Sequence, residues 1–279
     1  MKPVEKVCFF IPLLLTGAIY LQAAPENQTS FRLKEAACAR DFIAAMRYGN
    51  RENMETILAE YYQEDTFPEW LLEYNRNMLN SCEQGGILFT GSYFDTTAAW
   101  YVQYIEQRRT DVTVIPCGLL DKPWYLNTLR EKRSVIPAGV ELDWRDIRDI
   151  KANLLKSEKK RVAISGTDQS PGICLDFTAS LLQSGAYSRP VMNGMARILT
   201  NNLWKRPVYF TLGCNARLLS YLKPHLTLNG IVYRLDPDPE DEIDISRTVS
   251  FFSDSSSFSH IVSTADTRET VSDTLMSHY

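Results

Sequence analysis

Across residues 31–79 the apolar positions recur every three or four residues. Phe42, Ala45 and Met46 share one stripe, Ile57, Leu58 and Tyr61 another, and Trp70, Leu71, Tyr74 and Met78 a third. That is the period of helices that bury one face. Asn50-Arg51 marks a break between two of them. Pro68 suits the first turn of the next, where a missing N–H costs nothing. After Gly85-Gly86 the period changes. Ile87-Leu88-Phe89-Thr90 is a continuous apolar run bounded by turn residues, the pattern of a buried strand. Residues 95–108 then read as a helix with Trp100, Tyr101, Tyr104 and Ile105 along one side, and Val112-Thr113-Val114-Ile115 as a second strand. Strand, helix, strand predicts a right-handed βαβ unit with parallel strands.

The alternation continues. Helices are predicted over 124–133, 147–160, 191–204 and 216–222, with a polar insertion over 136–149. Strands are predicted over 161–165, 207–212 and 230–235. This predicts an α/β domain over residues 81–240, a mainly parallel sheet with flanking helices in Rossmann-like layering. A helical N-terminal segment over 25–80 packs on it. Asp236-Pro237-Asp238-Pro239 is a proline-punctuated stop, and residues 253–279 are rich in Ser and Thr. So little apolar surface does not offset the entropy of ordering, and residues 241–279 read as a flexible tail.

The first 24 residues differ in kind. Lys2 and Lys6 flank the start, residues 7–21 are apolar without a charge, and Ala23-Ala24 offer small residues for cleavage. The pattern predicts a signal peptide over 1–24 and an exported chain, periplasmic or extracellular, beginning near Pro25. The alternative is a single membrane anchor, because residues 7–24 number 18, about the shortest helix that spans a bilayer. No other stretch approaches that length.

Composition narrows the classes of function. The chain has 279 residues, 44% of them hydrophobic, enough for a sizeable core. Its formal charge is -4, and losing Lys2, Glu5 and Lys6 would bring it to about -5. A mildly acidic chain without a basic run is a poor match for nucleic acid. None of the six Cys stands in a CxxC pair, which excludes zinc-ribbon and thioredoxin readings. Cys117 and Cys174 lie in apolar runs and read as buried small hydrophobes. An oxidising compartment would allow one or two disulfides, which spacing does not assign.

Candidate chemistry is sparse. The three His, His225, His260 and His278, have no ligand spacing between them, so no metal is predicted. Neither GxGxxG nor GxxxxGK[ST] occurs, and no cofactor is predicted. Ser92 follows Gly91 without the GxSxG frame of a nucleophile elbow. Ser165-Gly166-Thr167-Asp168 offers a hydroxyl and a carboxylate, yet His225 is the one His outside the tail that could act as base. Asp95 ahead of Thr96 and an apolar helical face reads first as an N-cap that accepts from an amide near Thr97 or Ala98. Crevices at the C-terminal ends of strands are where α/β sheets bind ligands, which keeps a functional reading open. The ligand-binding candidates are therefore Thr90, Gly91, Ser92, Asp95 and Thr96, with Trp124 and Tyr125 to stack on a sugar and Arg206 for an anion. Asp95 and Ser92 are the catalytic candidates.

Several of these stretches, in order, resemble a bacterial family of multi-pass membrane proteins related to protein O-mannosyltransferases. Ile87-Leu88-Phe89-Thr90, Asp95-Thr96, Trp100-Tyr101, Arg109-Thr110-Asp111-Val112, Leu119-Leu120 and Trp124-Tyr125 are similar to the soluble segment that follows that family's membrane region. Asn202-Leu203-Trp204-Lys205-Arg206-Pro207-Val208-Tyr209-Phe210 is similar to its NNWKRPIYFA, and Gly230-Ile231-Val232-Tyr233-Arg234-Leu235 to its closing pattern. The resemblance implies a stand-alone relative of that segment over residues 71–237. It also implies an altered turn: the family's Asn, Gly, Asp and Asn fall on Gly91, Ser92, Tyr93 and Phe94, and Asp95 alone keeps its carboxylate. The favoured reading is an exported, non-catalytic α/β domain that binds a glycan, peptide or partner protein. The alternative is an enzyme or accessory of glycosyl transfer, or a hydrolase, using Asp95 with Ser92 or Asp168.

Overall fold

A computed structural model of the chain describes residues 25–131, 136, 139–151, 161–164, 173–176 and 187–253. The predicted signal segment, Ser165-Gly166-Thr167-Asp168, and the tail from 254 on, with His260 and His278, lie outside the described residues.

Three helices come first: α1 (Pro25–Arg47), α2 (Arg51–Gln63) and α3 (Glu69–Asn80). Gly49, at φ +71, ends α1 in the left-handed conformation that glycine adopts at least cost. Asn50 caps α2, its side chain accepting the Asn53 N–H at 2.9 Å. Pro68 takes the extended cap position before α3. There follow β1 (Ile87–Thr90), α4 (Thr97–Tyr104), β2 (Thr113–Pro116), α5 (Pro123–Glu131) and α6 (Trp144–Lys151). Then come β3 (Arg161–Ile164), β4 (Ile173–Asp176), α7 (Arg189–Asn202) and β5 (Val208–Thr211). The last elements are α8 (Ala216–Leu222), β6 (Leu226–Asn229), β7 (Val232–Leu235) and α9 (Ile245–Ser253).

Five strands form one sheet in the order β2-β1-β5-β7-β6. β1 lies between β2 and β5 and is parallel to both, with Ile87 opposite Thr113 and Val208. β7 and β6 extend the sheet antiparallel. β1 and β5 are buried at every residue, which is why they read as unbroken apolar runs.

Three expectations are corrected. The 161–165 strand pairs antiparallel with β4 in a separate two-stranded sheet and does not join the parallel one. The 230–235 run holds one strand and a hairpin turn at Gly230, φ +62, and β6 precedes it. The tail does not begin at 241. Leu228 bridges to Ile243, Thr248 of α9 is buried with its hydroxyl on the Leu228 carbonyl at 3.4 Å, and Phe251 packs against the core.

The N-terminal helices share their core with the sheet. Phe42 of α1 stacks on Trp100 of α4 at 4.7 Å and meets Tyr104 edge-on at 5.4 Å; Phe89 of β1 stacks on Phe210 of β5 at 5.1 Å. Full burial of a ring such as Phe42 contributes about 1.5–3 kcal/mol, so this contact holds α1 to the sheet layer. Cys38, Cys82, Cys117 and Cys214 are free and buried; burial raises the Cys38 thiol to about 12, which makes it unreactive. Among the described residues no helix is long and apolar enough to cross a membrane.

Candidate functional site

The chain leaves β1 for β2 on one side, and β5 pairs with β1 on the other. The C-terminal ends of β1 and β5 thus form a topological switch point, the position at which open α/β sheets bind ligands. Two loops meet there, residues 91–96 after β1 and 212–215 after β5. A Cβ on Gly91 would stand 2.1 Å from the Gly213 carbonyl oxygen and 2.4 Å from the Cys214 Cα. One on Gly213 would stand 2.4 Å from Asp95 Oδ2. Both glycines are required because the loops are in direct contact, and no bound group is needed to explain them.

Asp95 fills this contact. It is 2% exposed. Its Oδ1 accepts the Ser92 N–H at 2.8 Å and the Ser92 hydroxyl at 2.6 Å. Oδ2 accepts the Gly91 N–H at 3.4 Å and, across the sheet, the Thr211 hydroxyl. A carboxylate has about four acceptor sites, and all four are taken. Around it, Thr96 donates its hydroxyl to the Ser92 carbonyl at 2.6 Å, and the Thr90 and Thr96 hydroxyls lie 2.7 Å apart. Burial raises the Asp95 carboxyl above its ordinary range, opposed by the hydrogen bonds from Ser92, Thr211 and the two amides.

The N-cap expectation for Asp95 is therefore corrected. The cap position is Thr96, no side chain caps α4, and the Thr97 N–H goes to the Tyr93 carbonyl at 2.8 Å. Asp95 turns back into its own loop and over to β5. No second carboxylate is among its partners. Thr211, which spacing had not singled out, completes its shell. The signal was an echo: Phe89-Thr90-Gly91 and Phe210-Thr211-Leu212-Gly213 close two strands in like fashion, with Phe89 opposite Phe210.

The other candidates lie elsewhere. Arg206 sits at the N-terminal ends of the same strands. Its Nε donates to the Gly85 carbonyl at 2.5 Å, Nη1 to Gly139 at 2.6 Å, and Nη2 to Gly86 at 3.1 Å and to the Thr113 hydroxyl at 2.6 Å. Burial lowers its guanidinium from the ordinary value. Tyr125 is fully buried in α5, its hydroxyl 3.5 Å from the Val114 carbonyl, with Trp124 edge-on at 5.7 Å and half-buried against the core. Thr90, Gly91, Ser92, Asp95 and Thr96 come together; Arg206, Trp124 and Tyr125 do not join them. Among the described residues no three His, Cys, Asp or Glu side chains stand close enough to share a metal ion.

The profile of the family described as TMEM260-associated domain 2 matches residues 71–169 and 149–250, which together span 71–250. The chain belongs to that family. The first segment carries β1 and β2, the second β5, β6 and β7, and both build the same sheet. The match thus takes in the switch point and the Arg206 end, and leaves α1 and α2 outside. No curated protein and no solved structure matches the chain.

Proposed function

We propose that this chain is a non-catalytic binding domain, an exported relative of the soluble segment of the bacterial membrane proteins related to protein O-mannosyltransferases. It holds a glycan, a peptide or a partner protein outside the cytoplasm, and residues 25–253 act as one unit. One observation carries the reading: both Asp95 oxygens are committed to four donors in a buried setting. A general acid or base must reach the proton it moves, and a nucleophilic hydroxyl needs a base to take its proton. The Ser92 hydroxyl does donate to Asp95 at 2.6 Å, but the carboxylate that would have to take its proton is buried and held by three further donors, so the pair supports the loop. This weighs against the enzyme reading at Asp95 and Ser92; its other candidate, Asp168, lies outside the described residues. Family membership supports the kinship and adds no activity.

Asp95→Asn tests it. The variant should fold, and it should capture the same exported proteins or glycans as the wild type from the extracytoplasmic fraction of its own cells. A variant as stable as the wild type that captures nothing would show that the Asp95 charge is functional. Export is tested apart from this: the native protein should begin near Pro25 by mass spectrometry, and an intact Met1 end held in the membrane would overturn it.

A further inference from the structure

Tyr62, in the last turn of α2, leaves 44% of its surface exposed. Its ring is not loose. It stacks at 5.0 Å and 22° on Tyr101 of α4, which lies beneath at 7% exposure, and Phe67 packs against Tyr101 at 5.2 Å. Beside the stack, Arg76 of α3 joins two acids. Its Nη1 donates to Glu69 at 2.5 Å, its Nε and Nη2 to Glu106 at 2.8 and 2.5 Å. Tyr101 ties the two halves together: burial first, and then the nearby Tyr62, Glu106 and Glu69, raise its hydroxyl to about 12, against the pull of Arg76. The ring stack and the Glu69–Arg76–Glu106 triad are thus near enough for the triad's charges to act on the Tyr101 hydroxyl. Glu69, at 40% side-chain exposure, opens the triad to solvent.

We propose that this patch binds a neutral pyranose ring. It rests on the binding-domain reading and names the ligand class and the surface. A pyranose presents an apolar C–H face that lies flat on an aromatic ring, and hydroxyls around its rim that donate to carboxylates. Tyr62 supplies the ring face, already held by Tyr101, so little side-chain entropy is lost on binding. Glu69, 40% exposed and engaged by Arg76 through Oε1, supplies the acceptor, and Glu106, which takes three bonds from Arg76, fixes that guanidinium in place. A cationic ligand would use the same ring face. The charges decide between them: Arg76 pairs with both acids and Arg108 stands 3.9 Å from Glu106, so two cations balance two carboxylates. An uncharged polyol fits a neutralised patch.

The test is saturation-transfer NMR on the full chain with the methyl pyranosides of glucose, mannose and galactose, and with choline as the cationic probe. At least one pyranoside should receive saturation at its ring C–H protons. Tyr62→Ala should weaken that binding by about tenfold or more while the chain stays folded, its melting temperature lowered only by the loss of the ring stack. Tyr62→Phe should retain it, and Glu106→Gln should weaken it. No transfer to any of the three pyranosides, transfer indifferent to Tyr62→Ala, or stronger binding of choline would each overturn the proposal. None of these results bears on Asp95, which lies in another loop, so the non-catalytic reading stands or falls separately.

Discussion

The two ends of the parallel strands β1 and β5 each hold a charged side chain, Asp95 buried and Arg206 half-buried, and each answers a different half of the backbone. At the C-terminal ends Asp95 gathers N–H and O–H donors; at the N-terminal ends Arg206 gives its own to the carbonyls of Gly85, Gly86 and Gly139. Strand ends leave some such groups outside the ladder (the Gly86 carbonyl still accepts the Thr113 N–H at 2.9 Å), and a buried group without a partner is costly. The ions differ in reach. Three of the four donors to Asp95 lie within four residues of it, and only Thr211 is distant. All four acceptors of Arg206 are remote, the nearest 67 residues away in sequence. Asp95 shapes a loop; Arg206 ties together the residues before β1, the first residue of β2 and the loop at Gly139. A buried charge is therefore no sign of a reactive site when protein dipoles already solvate it.

The largest expected effect is at the Arg206 end. Arg206→Met should cost roughly 3–5 kcal/mol, because three carbonyls and a hydroxyl lose a charged donor at once. Arg206→Lys should recover less than half of it, since one ammonium does not reproduce a planar fork spread over four acceptors. Urea unfolding measures both. A loss below about 1 kcal/mol for the Met variant would mean that water replaces the guanidinium freely, and the contrast with Asp95 would vanish.

A smaller and more local effect is expected at the other end. Asp95→Ala should cost about 2–4 kcal/mol, for two amides and two hydroxyls left in a buried loop. Asp95→Asn should cost under about 1.5 kcal/mol, since the Ser92 and Thr211 hydroxyls can rotate to accept from an amide. Gly213→Ala sharpens the point, because its new Cβ would press on Asp95 Oδ2 at 2.4 Å. Its cost should therefore shrink by about 1 kcal/mol when Asp95 is already Ala. Additive costs would place the clash elsewhere.

How far the sequence went follows the same division between near and far. β1 was legible to the residue because four apolar positions between Gly86 and Gly91 admit little else. α8 matches the predicted 216–222, and the structure adds its cap: the Asn215 side chain accepts the Arg217 N–H at 3.0 Å. β4 and β6 escaped because four residues of weak alternation beside Pro171-Gly172 or Pro224-His225 look like loop. Asp95 was misread because its carboxylate turns back to the amides and hydroxyl of its own loop, Gly91 and Ser92, with Thr211, 116 residues away, closing the set. Nothing local could place Arg206 among the carbonyls of Gly85, Gly86 and Gly139 and the hydroxyl of Thr113, in three distant segments.

The smallest expected effect is one of sign, and it opposes the two ends in pH. At the C-terminal end, burial raises the Asp95 carboxyl above its unfolded value near 3.8. The unfolded chain then releases this proton first as pH rises, so Asp95 costs stability from about pH 4 upward until the folded carboxyl has also ionised. At the N-terminal end, Asp111 pairs with Arg109 at 3.0 Å and accepts the Gly85 N–H at 2.9 Å. The pair with Arg109 chiefly, with help from that amide, holds it down to about 2 from 3.8. Its contribution is complete above the unfolded value and is lost as pH falls from about 4 through 2. Unfolding free energies measured from pH 2 to 7 should therefore give two opposite slopes. Wild type minus Asp95→Asn should fall with rising pH above about 4, and wild type minus Asp111→Asn should fall with falling pH below it. If the Asp95 difference instead rose with pH, its four donors would outweigh its burial, and the carboxylate would be a net stabiliser of the switch point like Asp111 at the far end.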